Sequence, residues 1–515
     1  MVEINGISDT DVLRFRHALA HWNHAVYARL FALGDLRNHV TKFRRVNMPC
    51  ADHTVPITCG LLTTRELEIT DTIDVEILLH KLRTAEWSSV DVTTAFYKRA
   101  IIAQQLTNCL TEIFVERAVA RAKEVDDYLR TTGKVIGPLH GLPISLKDQF
   151  CIKGLETIMG YAGWIGRYAE HDSVLVEMLY ECGGEGALIA MRGSPLGVGT
   201  DIGGSVRIPS AFCGLYTLCP SYDRLPYCNA VNVLKGQESI SSSLGPMANS
   251  LSAVKIFTKA IIDAKPWRKD PLAVHKAWSD GEYALSEHGS GGKMCFAIMW
   301  DNGVIKPHPP LVRAMKMTKL ALEAAGNTVI DWEPHRHLEI YKNAETIFAA
   351  DEGTGYRTEC ALSGEPLIQT MRPSVDAHEY PLDEPFAKTI VGKVKHLNAY
   401  ELWKLHEEKR ALRKSHLDHW EATVARTGTG RPVDAIISPA VACAACPHGC
   451  NSDAFYTTFC NILNYPSAVF PVTFADAELD KVQPPHEFRN HEDEAIYKLY
   501  VPELFHGLPK LWTEL

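Results

Sequence analysis

Ser205 stands in the run GVGTDIGGSVRIPSAFCG, residues 197–214, between a pair of glycines and a valine–arginine step. A serine hydroxyl becomes a useful nucleophile when a base takes its proton and when donors are aimed at the oxyanion that its attack creates. Ile202, Gly203 and Gly204 supply consecutive backbone N–H groups with little side-chain bulk, so they are the expected oxyanion hole. Arg207 is spaced to pair with Asp201 or to hold the loop rigid. The candidate base is Lys147, which closes the apolar run Leu142 to Leu146 and has Asp148 beside it. Burying a lysine strips hydration from its charged form, lowers its pKa and frees a neutral amine to accept a proton.

Other chemistry is weaker in the sequence. Cys443, Cys446, His448 and Cys450 in CAACPHGC are ligand types that zinc takes, but the spacing is tight and no second ligand pair lies at a finger-like distance, so no metal is expected. The serine loop departs from G-x-S-x-G, which disfavours an α/β-hydrolase elbow. GVGTDIG departs from G-x-G-x-x-G, and Ser252 to Lys255 satisfies S-x-x-K inside an amphipathic helix with no KTG or SDN after it. No cofactor is expected.

These residues need elements to hold them. Val75, Leu78, Leu79 and Leu82 recur at helical spacing, and Ser88 with Asp91 resembles a capping box before VTTAFYKRAII. Leu142 to Leu146 reads as a buried strand, SVLVEMLYE (173–181) and NSLSAVKIFTKAIIDA as helices, and DAIISPA and SAVFPVTF as strands. The stretch from Gly184 to Gly204 reads as small-residue helix alternating with Gly-rich loop. Helices alternating with short apolar strands give an α/β fold class.

The chain has 515 residues, 53 Lys plus Arg against 62 Asp plus Glu, and a net charge of −9 with no basic block, which argues against nucleic acid as partner. Neither a signal peptide nor a membrane-length apolar run is evident, so a cytoplasmic protein with free thiols is expected from its 14 cysteines. A homo-oligomer is compatible with the sequence, which leaves the oligomeric state open.

GLPISLKDQF, GGEGALIA and GSPLGVGTDIGGSVRIPSAFCGLY together resemble the amidase signature family, and TCGLLTTRELEIT, DAKPWRKDP, NYPSAVFPVT and YVPELFHGLP resemble its fungal acetamidase-like members. The resemblance runs over residues 46–509, with 1–45 and 510–515 outside the family pattern. It implies a central mixed β-sheet covered by helices on both faces, and hydrolysis of a small carboxamide to acid and ammonia. By that resemblance Ser205 is the acyl-forming nucleophile, Lys147 the base, and the amides of Ile202, Gly203 and Gly204 the oxyanion hole.

The resemblance also implies a Ser–Ser–Lys triad, whose middle serine, in a cis peptide linkage of a GGSSGGE-type loop, bridges lysine and nucleophile. Here YECGGEGAL puts Glu181 and Cys182 where the serine pair belongs. Only 58 positions separate Lys147 from Ser205, several tens fewer than the family pattern, so a segment carrying a strand is missing between Glu181 and Gly183. A carboxylate beside Lys147 would raise the lysine's pKa, so Glu181 is a poor substitute for the bridge, and Cys182 reads as a packed thiol. The expected activity is amide hydrolysis. The competing expectation is a catalytically inactive relative or a damaged chain.

Overall fold

The computed structural model describes residues 55–107, 109–183, 189, 191–367, 396–444 and 454–501. Two sheets with helices packed on them make an α/β architecture. The larger has the order β1-β2-β4-β3-β8, built from β1 (Ile144–Leu146), β2 (Leu196–Asp201), β3 (Tyr216–Cys219), β4 (Ser243–Ala248) and β8 (Ser467–Val469). β1 runs parallel to β2 and the other pairs are antiparallel, so this sheet is mixed. The smaller, parallel sheet has the order β6-β5-β7, from β5 (Cys295–Ile298), β6 (Thr328–Asp331) and β7 (Ala435–Ile437).

The apolar periodicity near the N-terminal side becomes helix α1 (Val75–Arg83), capped by Asp74 and burying Val75, Leu78, Leu79 and Leu82. Helix α2 (Ser89–Thr107) follows, and the Ser88 hydroxyl accepts from the Asp91 amide at 3.0 Å. Helices α3 (Val174–Cys182) and α4 (Leu251–Asp263) add their apolar faces to the same core as β1, β2 and β4. A second core gathers around β5 and the helices α5 (His337–Phe348), α6 (Ala399–Ala422) and α7 (Phe455–Leu463). Lys255 of the S-x-x-K run lies over the Tyr283 ring and Ser252 donates to Asp74, so both serve the packing of α4.

The structure corrects the reading of residues 196–201 as Gly-rich loop: they form β2, buried at every position. The glycines conceal a strand because they are what lets it be central. A Cβ at Gly197 would lie 2.3 Å from Ile189 Cδ1 and 2.5 Å from Ser145 Oγ, and such close approach is a use of strand glycine.

The end of α3, where the sequence reading expects a segment to be missing, is tied to the loop before the strand β1. Gly183 ends the helix at φ +96°, donating its N–H to Leu179. The Cys182 and Gly183 carbonyls then accept from the amides of Leu139 and Gly141 at 3.0 and 3.1 Å, so this helix end is paired with the loop that leads into β1. Among the described residues β1 pairs on one side only and forms the edge of the sheet.

Candidate active site

The serine loop is built around one carboxylate. β2 ends at Asp201, whose side chain is fully buried and whose Oδ1 accepts from the Gly204 amide at 2.8 Å, while Oδ2 accepts from the Val206 amide at 3.2 Å. Arg207, equally buried, donates Nε to Oδ2 at 3.0 Å and an Nη to Oδ1 at 2.8 Å, a bidentate fork. Burial alone would raise the Asp201 pKa, but the guanidinium and the hydrogen bonds outweigh it and hold the carboxyl below its ordinary value. Burial likewise works against the charge of Arg207, and Asp201 overcomes it, so the arginine pKa is raised. The expected pairing of Arg207 with Asp201 is present, and it ties the loop to the end of β2.

Helix α7 clamps the same loop from the far end of the chain. The Thr457 and Thr458 hydroxyls donate to the Gly203 carbonyl at 2.6 and 3.2 Å, Asn461 donates to Asp201 Oδ1 at 3.0 Å, and Arg207 donates to the Thr457 carbonyl at 2.9 Å. Gly204 has φ +143°, a region open to glycine and costly for other residues. A Cβ there would lie 2.4 Å from Thr457 Oγ1. These three residues of α7 escaped the sequence reading, although Thr457, Thr458 and Asn461 were a visible signal: polar positions one and four apart on an otherwise apolar helix.

Ser205 follows this clamp immediately before the helix Arg207–Cys213 and is exposed, and its hydroxyl makes no hydrogen bond to a described residue. Of the three amides expected to face an oxyanion, that of Gly204 is donated to Asp201, which takes it out of the set and leaves Ile202 and Gly203.

Lys147 lies just beyond β1, its own amide donating to Val198 of β2 at 3.0 Å. It keeps an exposed face, yet partial burial of its amine pushes the pKa below the ordinary lysine value, with the Asp201 charge pulling the other way. Its Nζ donates to Thr200 Oγ1 at 2.8 Å, and Thr200 in turn donates to Gln149 Oε1. Neighbouring Asp148 has its carboxyl raised to about 6 by burial, which outweighs the hydrogen bond it accepts from the Met159 amide at 3.0 Å. Thr200 and Gln149 were not singled out from the sequence.

Glu181 and Cys182, expected from the sequence to stand where the serine pair belongs, are directed elsewhere. Glu181 is exposed and pairs with Lys269 at 2.7 Å. Cys182 is buried in the main core, its thiol pKa raised to about 11 by burial, an inert state for a cysteine. Of the candidate zinc ligands Cys443 is buried, while Cys446, His448 and Cys450 lie outside the described residues; among the described residues no cluster of three or more His, Cys, Asp or Glu could hold a metal ion. Every described cysteine is a free thiol, and no described helix is long and apolar enough to cross a membrane.

The pattern of the family described as Amidase matches residues 91–183 and 181–494, two stretches that meet at the end of α3. The chain belongs to the amidase signature family. It is 36% identical to an acetamidase of Emericella nidulans over 507 positions, covering 90% of this chain and 89% of the relative. An acetamidase of Aspergillus oryzae is also 36% identical, covering 91% and 90%. Among solved structures a fatty acid amide hydrolase superposes with a TM-score of 0.80 at 25% identity, covering 98% of this chain and 92% of that one. The peptide amidase of Stenotrophomonas maltophilia shares the fold, with a TM-score of 0.58 at 19% identity over 78% of this chain and 90% of its own. This amidase is thus an amide-hydrolysing enzyme, and its mixed sheet is that of the family.

Proposed function

We propose that this amidase hydrolyses a small carboxamide to a carboxylic acid and ammonia through an acyl-enzyme at Ser205. Lys147, as a neutral amine, takes the Ser205 proton directly or through one water, and Oγ attacks the amide carbon. The Ile202 and Gly203 amides hold the developing oxyanion. Collapse breaks the C–N bond, and the proton held by Lys147 passes to the leaving nitrogen, which departs as ammonia. A water then attacks the acyl carbon, losing its proton to Lys147, which returns it to Ser205 Oγ as the acyl C–O bond breaks and the acid leaves.

The observation that carries this reading is an exposed serine, without a hydrogen bond to any described residue, on a loop tied down by Asp201, Arg207 and α7, with a lysine of lowered pKa beside the strand that feeds the loop. The acetamidase relatives support a small amide as substrate.

A second reading, a folded relative that has lost the chemistry, draws on the absence of a bridge among the described residues: the hydrogen bond from Lys147 goes to Thr200, and neither Glu181 nor Cys182 is bonded to the lysine. Labelling the full chain with a fluorophosphonate probe, followed by peptide mapping, separates the two. Label on Ser205 that vanishes in Lys147→Ala supports the acyl-enzyme. An unlabelled Ser205 in a chain that melts cooperatively overturns it in favour of the second reading.

A further inference from the structure

The chain Lys147–Thr200–Gln149, whose Thr200 and Gln149 are buried, has a direction that its neighbours fix. Gln149 Nε2 lies 2.8 Å from the Val231 carbonyl, and the Val231 amide donates to the Gln149 carbonyl at 2.7 Å. A carbonyl oxygen can only accept, so the amide group that faces Val231 must be the NH2, and Oε1 is the atom turned to Thr200. That oxygen also can only accept, so it consumes the one hydrogen of the Thr200 hydroxyl. Thr200 Oγ1 therefore presents only lone pairs to Lys147 Nζ, and the amine must donate to it.

This direction matters for a base. A neutral amine has two hydrogens and one lone pair. If Thr200 were free to rotate, its hydroxyl would donate into that lone pair and occupy the position that must receive a proton. We infer that Gln149 is a positioning residue: by holding the Thr200 hydrogen it compels Lys147 to donate to Thr200 and keeps the amine lone pair open for the proton of Ser205. The inference rests on Lys147 being the base of the proposed reaction. Gln149 is buried, so water does not compete freely for the hydroxyl hydrogen.

The test is the pH dependence of acetylation of Lys147 by acetic anhydride in the full chain, followed by peptide mass mapping, for the parent, Gln149→Met, Thr200→Val and the double variant. Gln149→Met removes the acceptor at nearly constant volume, so the freed hydroxyl donates to the neutral amine. The midpoint of Lys147 then falls by about half to one pH unit, the size expected of one hydrogen bond, and the neutral amine reacts more slowly. In the Thr200→Val background the same Gln149 substitution has no further effect. Gln149→Leu likewise lacks an acceptor for the Thr200 hydrogen, and it carries the comparison, with and without Thr200→Val, should the methionine variant not fold by circular dichroism.

A midpoint unmoved by Gln149→Met, or moved equally with and without the Thr200 hydroxyl, overturns the inference. The fluorophosphonate label, read in parallel, keeps the two claims apart. An unlabelled Ser205 with the coupling intact removes the acyl-enzyme and leaves the oriented chain; a labelled Ser205 without coupling removes the oriented chain and leaves the acyl-enzyme.

Discussion

Asp201→Asn is the substitution that weighs most heavily on this architecture. The asparagine is nearly isosteric, so it opens no cavity, but it removes the charge opposite a buried guanidinium and puts an NH2 donor where Arg207, Gly204 and Val206 already point donors at the carboxylate. Breaking a buried ion pair by removing one partner costs about 3–5 kcal/mol, chiefly through the charge left uncompensated. Domains are stable by about 5–15 kcal/mol, so the loss is a large fraction of the whole. Equilibrium urea unfolding should show the midpoint falling accordingly. Adding Arg207→Met removes the stranded charge, and the double variant should recover a substantial part of the loss, a coupling that a double-mutant cycle measures directly. A cost below about 1 kcal/mol for Asp201→Asn, or a double variant whose loss is the simple sum of the two single losses, would refute the argument that the loop depends on a paired buried charge. The same substitution lowers the Lys147 pKa further, since the Asp201 charge is what opposes its depression.

Gly204→Ala should cost about 2–5 kcal/mol in the same assay, from backbone strain at φ +143° and from the collision with Thr457; a neutral result would show that the turn relaxes freely. Acid should destabilise the α5–α6 region. His337 and His416 are buried, with pKa values lowered to about 4 and about 3 mainly by burial, so the unfolded chain binds more protons once the pH drops below about 6.5. Stability present at pH 7 is then lost on acidification, by up to about 1.4 kcal/mol per pH unit for each histidine. Asp148, raised to about 6, pulls the other way between about 4 and 6, but one carboxyl opposes two imidazoles, and thermal melts at pH 7.5 and 5.5 should differ in the stated direction. A flat profile would contradict it. Glu181→Gln should leave Ser205 labelling and the melt nearly unchanged, because an exposed pair such as Glu181–Lys269 is worth about 0–1 kcal/mol. Cys182→Ser should lower the melt while sparing the label, and loss of label in either variant would show that these residues reach the site.

What the sequence disclosed was local. The Asp201–Arg207 pair, six positions apart, and the helical faces of α1 and α4 follow from spacing alone, as does the short strand just before Lys147. β2 was hidden because its alternation is made with glycines, which erase the apolar period while permitting the close packing that makes the strand central. The threonines of α7 lie some 250 positions from the loop that they clamp, and no periodicity reports a contact across that distance. The directed chain through Thr200 and Gln149 was invisible for another reason: it depends on which atom of an amide faces which carbonyl, a property of geometry and not of composition.

The remoteness of that clamp also bears on how the chain is made. A ribosome that has just completed the nucleophile loop has yet to synthesise Thr457 and Asn461, and at about 5–20 residues per second the delay is on the order of 10–50 s. During that interval Asp201 and Arg207 have each other but lack their cover, and Gly203 lacks both of its hydroxyl donors. The loop can reach its final geometry only after nearly the whole chain has emerged, so premature termination anywhere in the last third before α7 yields a polypeptide that carries Ser205 and Lys147 but cannot assemble them.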